Sequence, residues 1–187
     1  MQWLRQLQES RSLFFTTYWM YGAVALVLLG MALQERALTL LGLLTLVTAG
    51  GSWLWARYSL DSIVYTRSLS TNRLFAGEQL TMQTTLVNKK LLPLAWIELE
   101  DEFADRLRIV DREAVPSGVP GIATLRITTA MRWYERATWS TGIECPARGS
   151  FQIGPVTFRS GDLFGFFNRR DTLQVNDWII VYPRIAD

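Results

Sequence analysis

The sequence predicts an α+β membrane protein, with a two-helix transmembrane hairpin within residues 1–57 followed by an all-β immunoglobulin-like sandwich over 58–187. Three observations carry this expectation. Two stretches, 12–34 and 37–56, hold no Asp, Glu, Lys or Arg, although 19% of the chain is charged. Past residue 60 the spacing of apolar residues changes from helical to alternating. That alternation is punctuated by Gly- and Pro-containing turns at short intervals.

The first helix is expected over about residues 12–33 and the second over about 37–56. At 1.5 Å per residue they reach roughly 33 and 30 Å, the thickness of a bilayer's hydrocarbon core. Gln34-Glu35-Arg36 leaves room only for a tight antiparallel hairpin. Gly30-Met31-Ala32 has the small-x-small form of a signal-peptidase site. The apolar run before it exceeds the 7–15 residues of a signal peptide, so an uncleaved span is the better reading. A pair of buried helices in a soluble protein is the other alternative, and two adjacent charge-free runs of this length argue against it. Arg5 and Arg11 before the hairpin and Arg57 and Arg67 after it outnumber Arg36 in the turn. Positive charge favours the cytoplasmic side, so both termini are expected in the cytoplasm, with the chain a multi-pass protein of the inner (plasma) membrane. Phe14, Phe15, Tyr18 and Trp19 open the first span, and Trp53, Trp55 and Tyr58 close the second. Such rings form an interfacial belt or pack helix against helix. Gly22, Gly30, Gly42 and Gly50 offer points of close helix contact. The spans carry no charge at depth, which is the pattern of an anchor and not of a transporter.

In the second region Leu80, Met82, Thr84 and Leu86 alternate with polar neighbours, as do Ile97 and Leu99. Leu125, Ile127, Thr129, Met131 and Trp133 follow, then Phe151 and Ile153, then Val156 and Phe158 beyond Gly154-Pro155. A two-residue period marks antiparallel strands with one buried face. Ala76-Gly77, Lys90–Pro93, Pro116–Gly121, Arg148-Gly149 and Ser160–Asp162 supply the turns. Six or seven strands over this length suggest a sandwich. The second helix is expected to run almost directly into the first strand, since no Gly/Pro/Ser linker intervenes at Arg57–Asp61.

Composition removes several chemistries. Histidine is absent, which excludes imidazole ligands and His-based acid–base catalysis. One cysteine, Cys145, permits no internal disulfide and has no base to activate it, so a core thiol is expected. The two lysines, Lys89 and Lys90, lie outside any phosphate-binding loop motif, and GxSxG and GxGxxG are lacking. Residues 57–187 hold 16 basic and 15 acidic side chains, without the basic excess of a nucleic-acid binder. The densest charge feature, Glu98, Glu100, Asp101, Glu102 and Asp105, reads either as a divalent-cation site or as a solvated strand end. Arg169-Arg170 is a turn or a surface contact. No catalytic, cofactor or metal residue is assigned.

The most distinctive stretch is Gly149–Arg170. Gly154-Pro155 is expected to bend a strand or form an edge bulge, because Pro cannot donate to a ladder. The Asp162 carboxylate can accept backbone N–H bonds in a turn. Phe164, Phe166 and Phe167 beside Gly165 are expected to plug a corner of the sandwich. The stretch also resembles the signature of the prokaryotic family known as "domain of unknown function 58". The matching segments are Arg148-Gly149-Ser150-Phe151-Gln152-Ile153-Gly154-Pro155, Asp162-Leu163-Phe164-Gly165-Phe166-Phe167 and Val181-Tyr182-Pro183-Arg184. Leu163 replaces the family's usual Pro, and Phe166 its Leu. The resemblance implies a structural motif made by Arg148, Gly149, Gly154, Pro155, Asp162, Phe164, Gly165, Phe167, Tyr182 and Pro183. Members normally continue into a von Willebrand factor A-like domain. This sequence stops at Asp187, as a fragment or a short member would. The family implies a non-catalytic membrane scaffold or adaptor, working with a MoxR-type AAA+ ATPase and the lipid bilayer as partners. An extracytoplasmic envelope-binding or adhesion module is the alternative, and an enzyme or transport subunit is disfavoured.

Overall fold

The computed structural model describes residues 20–183. The chain is α+β, with two helices followed by a β-rich sandwich. Its residues fall into two compact units, one holding the helices with Ser160–Arg169 and the other holding Leu60–Arg159 with the strand segments beyond Arg170.

In the first unit, α1 (described over Met20–Ala32) and α2 (Arg36–Ser59) form the expected hairpin. Phe14, Phe15, Tyr18, Trp19, Arg5 and Arg11 lie outside the described residues. The turn is a Schellman arrangement. Glu35 N–H donates to the Gly30 carbonyl at 3.0 Å, Gln34 N–H to that of Met31, and Gln34 takes a left-handed φ of 56°. Two of the four glycines make the close contact. A Cβ on Gly30 would stand 2.6 Å from the Thr39 backbone nitrogen, and one on Gly42 would stand 2.8 Å from the Val27 side chain. Among the described residues, a Cβ on Gly22 or Gly50 would meet nothing within 4 Å. Thr39, Thr45 and Thr48 donate their hydroxyls to carbonyls four residues back, which satisfies polar groups on an apolar helix.

Among the described residues the β-rich part has eleven strands, more than the alternation alone marks. One sheet has the order β1 (Ile63–Leu69), β3 (Gln79–Asn88), β8 (Arg136–Glu144), β5 (Arg108–Ile109). The other runs β2 (Arg73–Phe75), β11 (Asp177–Tyr182), β9 (Gly149–Gly161), β4 (Leu94–Ala104), β7 (Ile122–Met131), β6 (Ala114–Pro116), with β10 (Asn168–Leu173) also on β9. The surplus strands β2, β5 and β6 have two or three residues, too few to show a period. All pairings with a stated register are antiparallel except β2 with β11. The core contains the anticipated Leu80, Met82, Leu86, Ile97, Leu99, Leu125, Ile127, Met131, Phe151, Ile153, Val156 and Phe158, drawn from both sheets.

One expectation fails locally, and of a second only one alternative fails. Trp133 does not continue the buried face of β7. The strand ends at Met131, and Trp133 and Tyr134 form an exposed turn in which Tyr134 has φ 53°. Gly154-Pro155 is not an edge feature, since β9 is an interior strand. Pairing with β11 covers Gly149–Ile153 and stops there, and β10 takes over farther along. The missing Pro155 N–H thus falls where β9 changes partners.

Candidate functional site

Alternation on β1 turns Ile63, Tyr65, Arg67 and Leu69 toward the core, and on β4 it turns in Ile97, Leu99, Asp101 and Phe103. An arginine and an aspartate thereby enter the interior from opposite sheets. The Arg67 side chain is fully enclosed. Its Nη1 donates to Asp101 Oδ1 at 2.8 Å, its Nε to Asp177 Oδ2 at 2.8 Å, and its Nη2 to the Val175 carbonyl at 2.6 Å. Tyr65 donates its hydroxyl to Asp101 Oδ2 at 2.9 Å and packs edge-on against Phe158. Burial pushes the Asp101 carboxyl up to about 6, against the pull of Arg67 and the Tyr65 hydroxyl, and burial also raises the Tyr65 phenol. These groups are spent on one another. The geometry is a clamp between sheets and leaves no arm of the guanidinium aimed at a ligand.

Asp101 belongs to the acidic run in sequence, but it is buried and turned away from the others. The same alternation puts Glu98, Glu100 and Glu102 on the outer face. There Arg126 reaches Glu98 and Glu100 at 2.7 Å each, with Arg159 and Arg170 nearby. The Glu98 and Glu100 carboxylates converge on the Arg126 guanidinium. Among the described residues no group of three or more Asp, Glu or Cys is placed to hold a metal.

Cys145 is buried just beyond β8, and burial together with Glu144 pushes its thiol up to about 11, which suits a core position. Asn88 is a buried polar residue that period reasoning missed. Its Nδ2 donates to the carbonyls of Leu92 and Arg132 and ties two loops together. A shallow surface depression of about 330 Å³ lies beside Glu102, Gln152, Pro155 and the exposed Trp178.

The motif residues sort into three places. Arg148 is exposed, and Gly149 opens β9 opposite Val181. Gly154 has φ 108°, and a Cβ there would stand 1.9 Å from the Val175 carbonyl, the same oxygen that receives Arg67. Pro155 beside it is half-buried. Tyr182 ends β11 against Phe75, with Pro183 following. The third place is the loop from Asp162 to Phe167. The buried Asp162 carboxylate accepts from Phe164 N–H at 3.0 Å and from Phe167 N–H at 2.7 Å. Gly165 supplies φ 75°. The aromatic plug, however, is not a plug. Phe164 is 64% exposed and Phe166 52%, stacked on each other at 5.8 Å, with Leu163 exposed beside them. Periodicity could not show this, because it reads strands and not loops.

No family model matches the chain. Over 131 residues it is 28% identical to the uncharacterized protein YeaD of Bacillus subtilis (strain 168), covering 70% of this chain. The match spans 31% of that relative's length. Among solved structures, the chain is similar in part to Spo0M, a sporulation control protein from Bacillus subtilis, at 13% identity and TM-score 0.35 over 65% of this chain and 50% of that one. It is also similar to a non-cellulosomal cohesin from Archaeoglobus fulgidus, at 11% identity and TM-score 0.39 over 63% and 91% of the two chains.

Proposed function

We propose that the chain is a membrane-anchored, non-catalytic scaffold or adaptor acting with a MoxR-type AAA+ ATPase. The observation that carries the anchor is the outer surface of α2. Leu40, Leu41, Leu44, Val47 and Leu54 are all exposed, Leu44 at 63% and Val47 at 70%. Apolar area of this extent costs about 25 cal/mol per Å² in water, and a bilayer removes that cost. The helix is 24 residues long, enough to cross with some tilt. The polar interior of the sandwich supports a scaffold role, because Arg67, Asp101, Asp177 and Tyr65 are consumed by mutual contacts. The resemblance of Arg148–Pro155, Asp162–Phe167 and Val181–Pro183 to "domain of unknown function 58" supplies the ATPase as partner, with a von Willebrand factor A-like domain as a further one.

The alternative is an extracytoplasmic envelope-binding module, left open by a charge count of Arg5, Arg11, Arg57 and Arg67 against Arg36. A protease-cleavable tag after Asp187 decides between the two. Cleavage only in inverted inner-membrane vesicles is the expected outcome. Cleavage in intact cells or spheroplasts puts the sandwich outside, where a cytosolic ATPase cannot reach it.

A further inference from the structure

We propose that the loop from Asp162 to Phe167 is a third membrane contact, an aromatic wedge seated in the lipid interface beside the end of α2. The inference rests on the anchor reading and adds to it a segment of chain far from the hairpin in sequence. Four observations carry it. Ser160–Arg169 belongs to the same compact unit as the two helices. Arg169 Nη1 donates to the backbone carbonyl of Arg57, in the last turn of α2, so the loop is tied to that end of the helix. The same helix end carries an interfacial set, with Trp53 and Tyr58 exposed and the Arg57 guanidinium over the Trp53 ring at 5.3 Å. The loop itself presents Leu163, Phe164 and Phe166 outward.

Three large apolar side chains exposed together at one loop tip are costly in water. The Asp162 carboxylate takes the N–H groups of Phe164 and Phe167, so two of the loop's own donors are satisfied from within. That matters at a lipid surface, where an unpaired backbone N–H is costly. The stacked Phe164–Phe166 pair forms one rigid apolar edge with few rotamers to lose on insertion. A bilayer interface is the occupant that these features fit together. A protein groove would not require the wedge to sit at the end of an apolar helix flanked by Trp, Arg and Tyr.

The test is depth measurement on the full chain in phosphatidylcholine–phosphatidylglycerol vesicles. An environment-sensitive fluorophore is attached at Phe166→Cys, at Leu163→Cys, which leaves the Phe stack intact, and at Leu44→Cys on α2. Cys145 is wholly buried, so labelling of the native protein marks the introduced thiol. Nitroxide lipids quench from the upper chain or from the bilayer centre. The expected result is strong quenching of the loop labels by shallow nitroxides, and of Leu44→Cys by deep ones. Quenching at Leu44→Cys with none at either loop position overturns the wedge while the anchor stands. No quenching at Leu44→Cys overturns the anchor and the wedge together.

Discussion

Arg67 reaches from β1 to two strands of the opposite sheet, and its loss exposes what it compensates. Arg67→Met leaves Asp101 and Asp177 without their cation, and breaking a buried pair by removing one partner costs about 3–5 kcal/mol. Asp101→Asn is a milder change, because the carboxyl is already held toward its protonated form. The folded protein retains that proton up to about pH 6, whereas an unfolded aspartate releases it near 3.8. Stability from this group is therefore full below about pH 4 and is lost as pH rises through about 6, an effect on the order of 3 kcal/mol at 1.36 kcal/mol per unit. Thermal unfolding of the detergent-solubilised chain across that range, followed by the sheet's circular dichroism, is expected to show the decline. Asp101→Asn is expected to flatten it, and an unchanged profile would mean that Asp101 is ionised throughout. At Asp162 the expectation concerns hydrogen bonds. Asp162→Ala removes the acceptor of two backbone N–H groups and is expected to cost about 1–2 kcal/mol. Hydrogen exchange at the Phe164 and Phe167 amides measures it most directly, and unaltered protection would show that the carboxylate is dispensable.

At the scale of elements, the hairpin and β9 share a device, a glycine where two backbones meet. Gly30 and Gly42 let α1 and α2 approach within the reach of a missing Cβ, whereas Gly22 and Gly50 meet nothing at that distance among the described residues. Gly30→Leu and Gly42→Leu are expected to splay the hairpin and to lower its resistance to sodium dodecyl sulfate on heating. Gly22→Leu and Gly50→Leu are expected to behave as the parent, and equal effects at all four positions would mean that the close contact is not what holds the helices. Gly154 is the strand counterpart. Its missing Cβ leaves room for the Val175 carbonyl, and that carbonyl in turn receives Arg67. The glycine thus positions one of the three acceptors of the clamp.

For the whole molecule, the apolar face of the helices governs behaviour in solution. The chain is expected to stay with the membrane fraction through alkaline carbonate and high salt, and to be released by detergent, because no charge pairing holds it there. Release by carbonate would make the hairpin a soluble element.

The helices, their tight turn and most of the buried face of the sandwich were legible because each is written in a local period. A charge-free run of helical length and a strand with alternating apolar residues need no partner to be recognised. The turn at Asp162 was legible for the same reason, since its carboxylate bonds amides two and five residues away. The strands of two or three residues were not, because a period needs more residues than they have. Arg67 shares its parity with Tyr65 and Leu69, and Asp101 with Leu99 and Phe103, but in sequence the one reads as a membrane-flanking charge and the other as part of an acidic run. Only the pairing of the strands, which lays β1 over β4 and β11, decided that the two would meet and that Asp101 would leave the acidic run for the core. In the same way sequence alone determined that Phe164 and Phe166 are apolar and close together. The tertiary structure decided that they point outward, because burial is a property of what surrounds a side chain and a loop carries no period that states it.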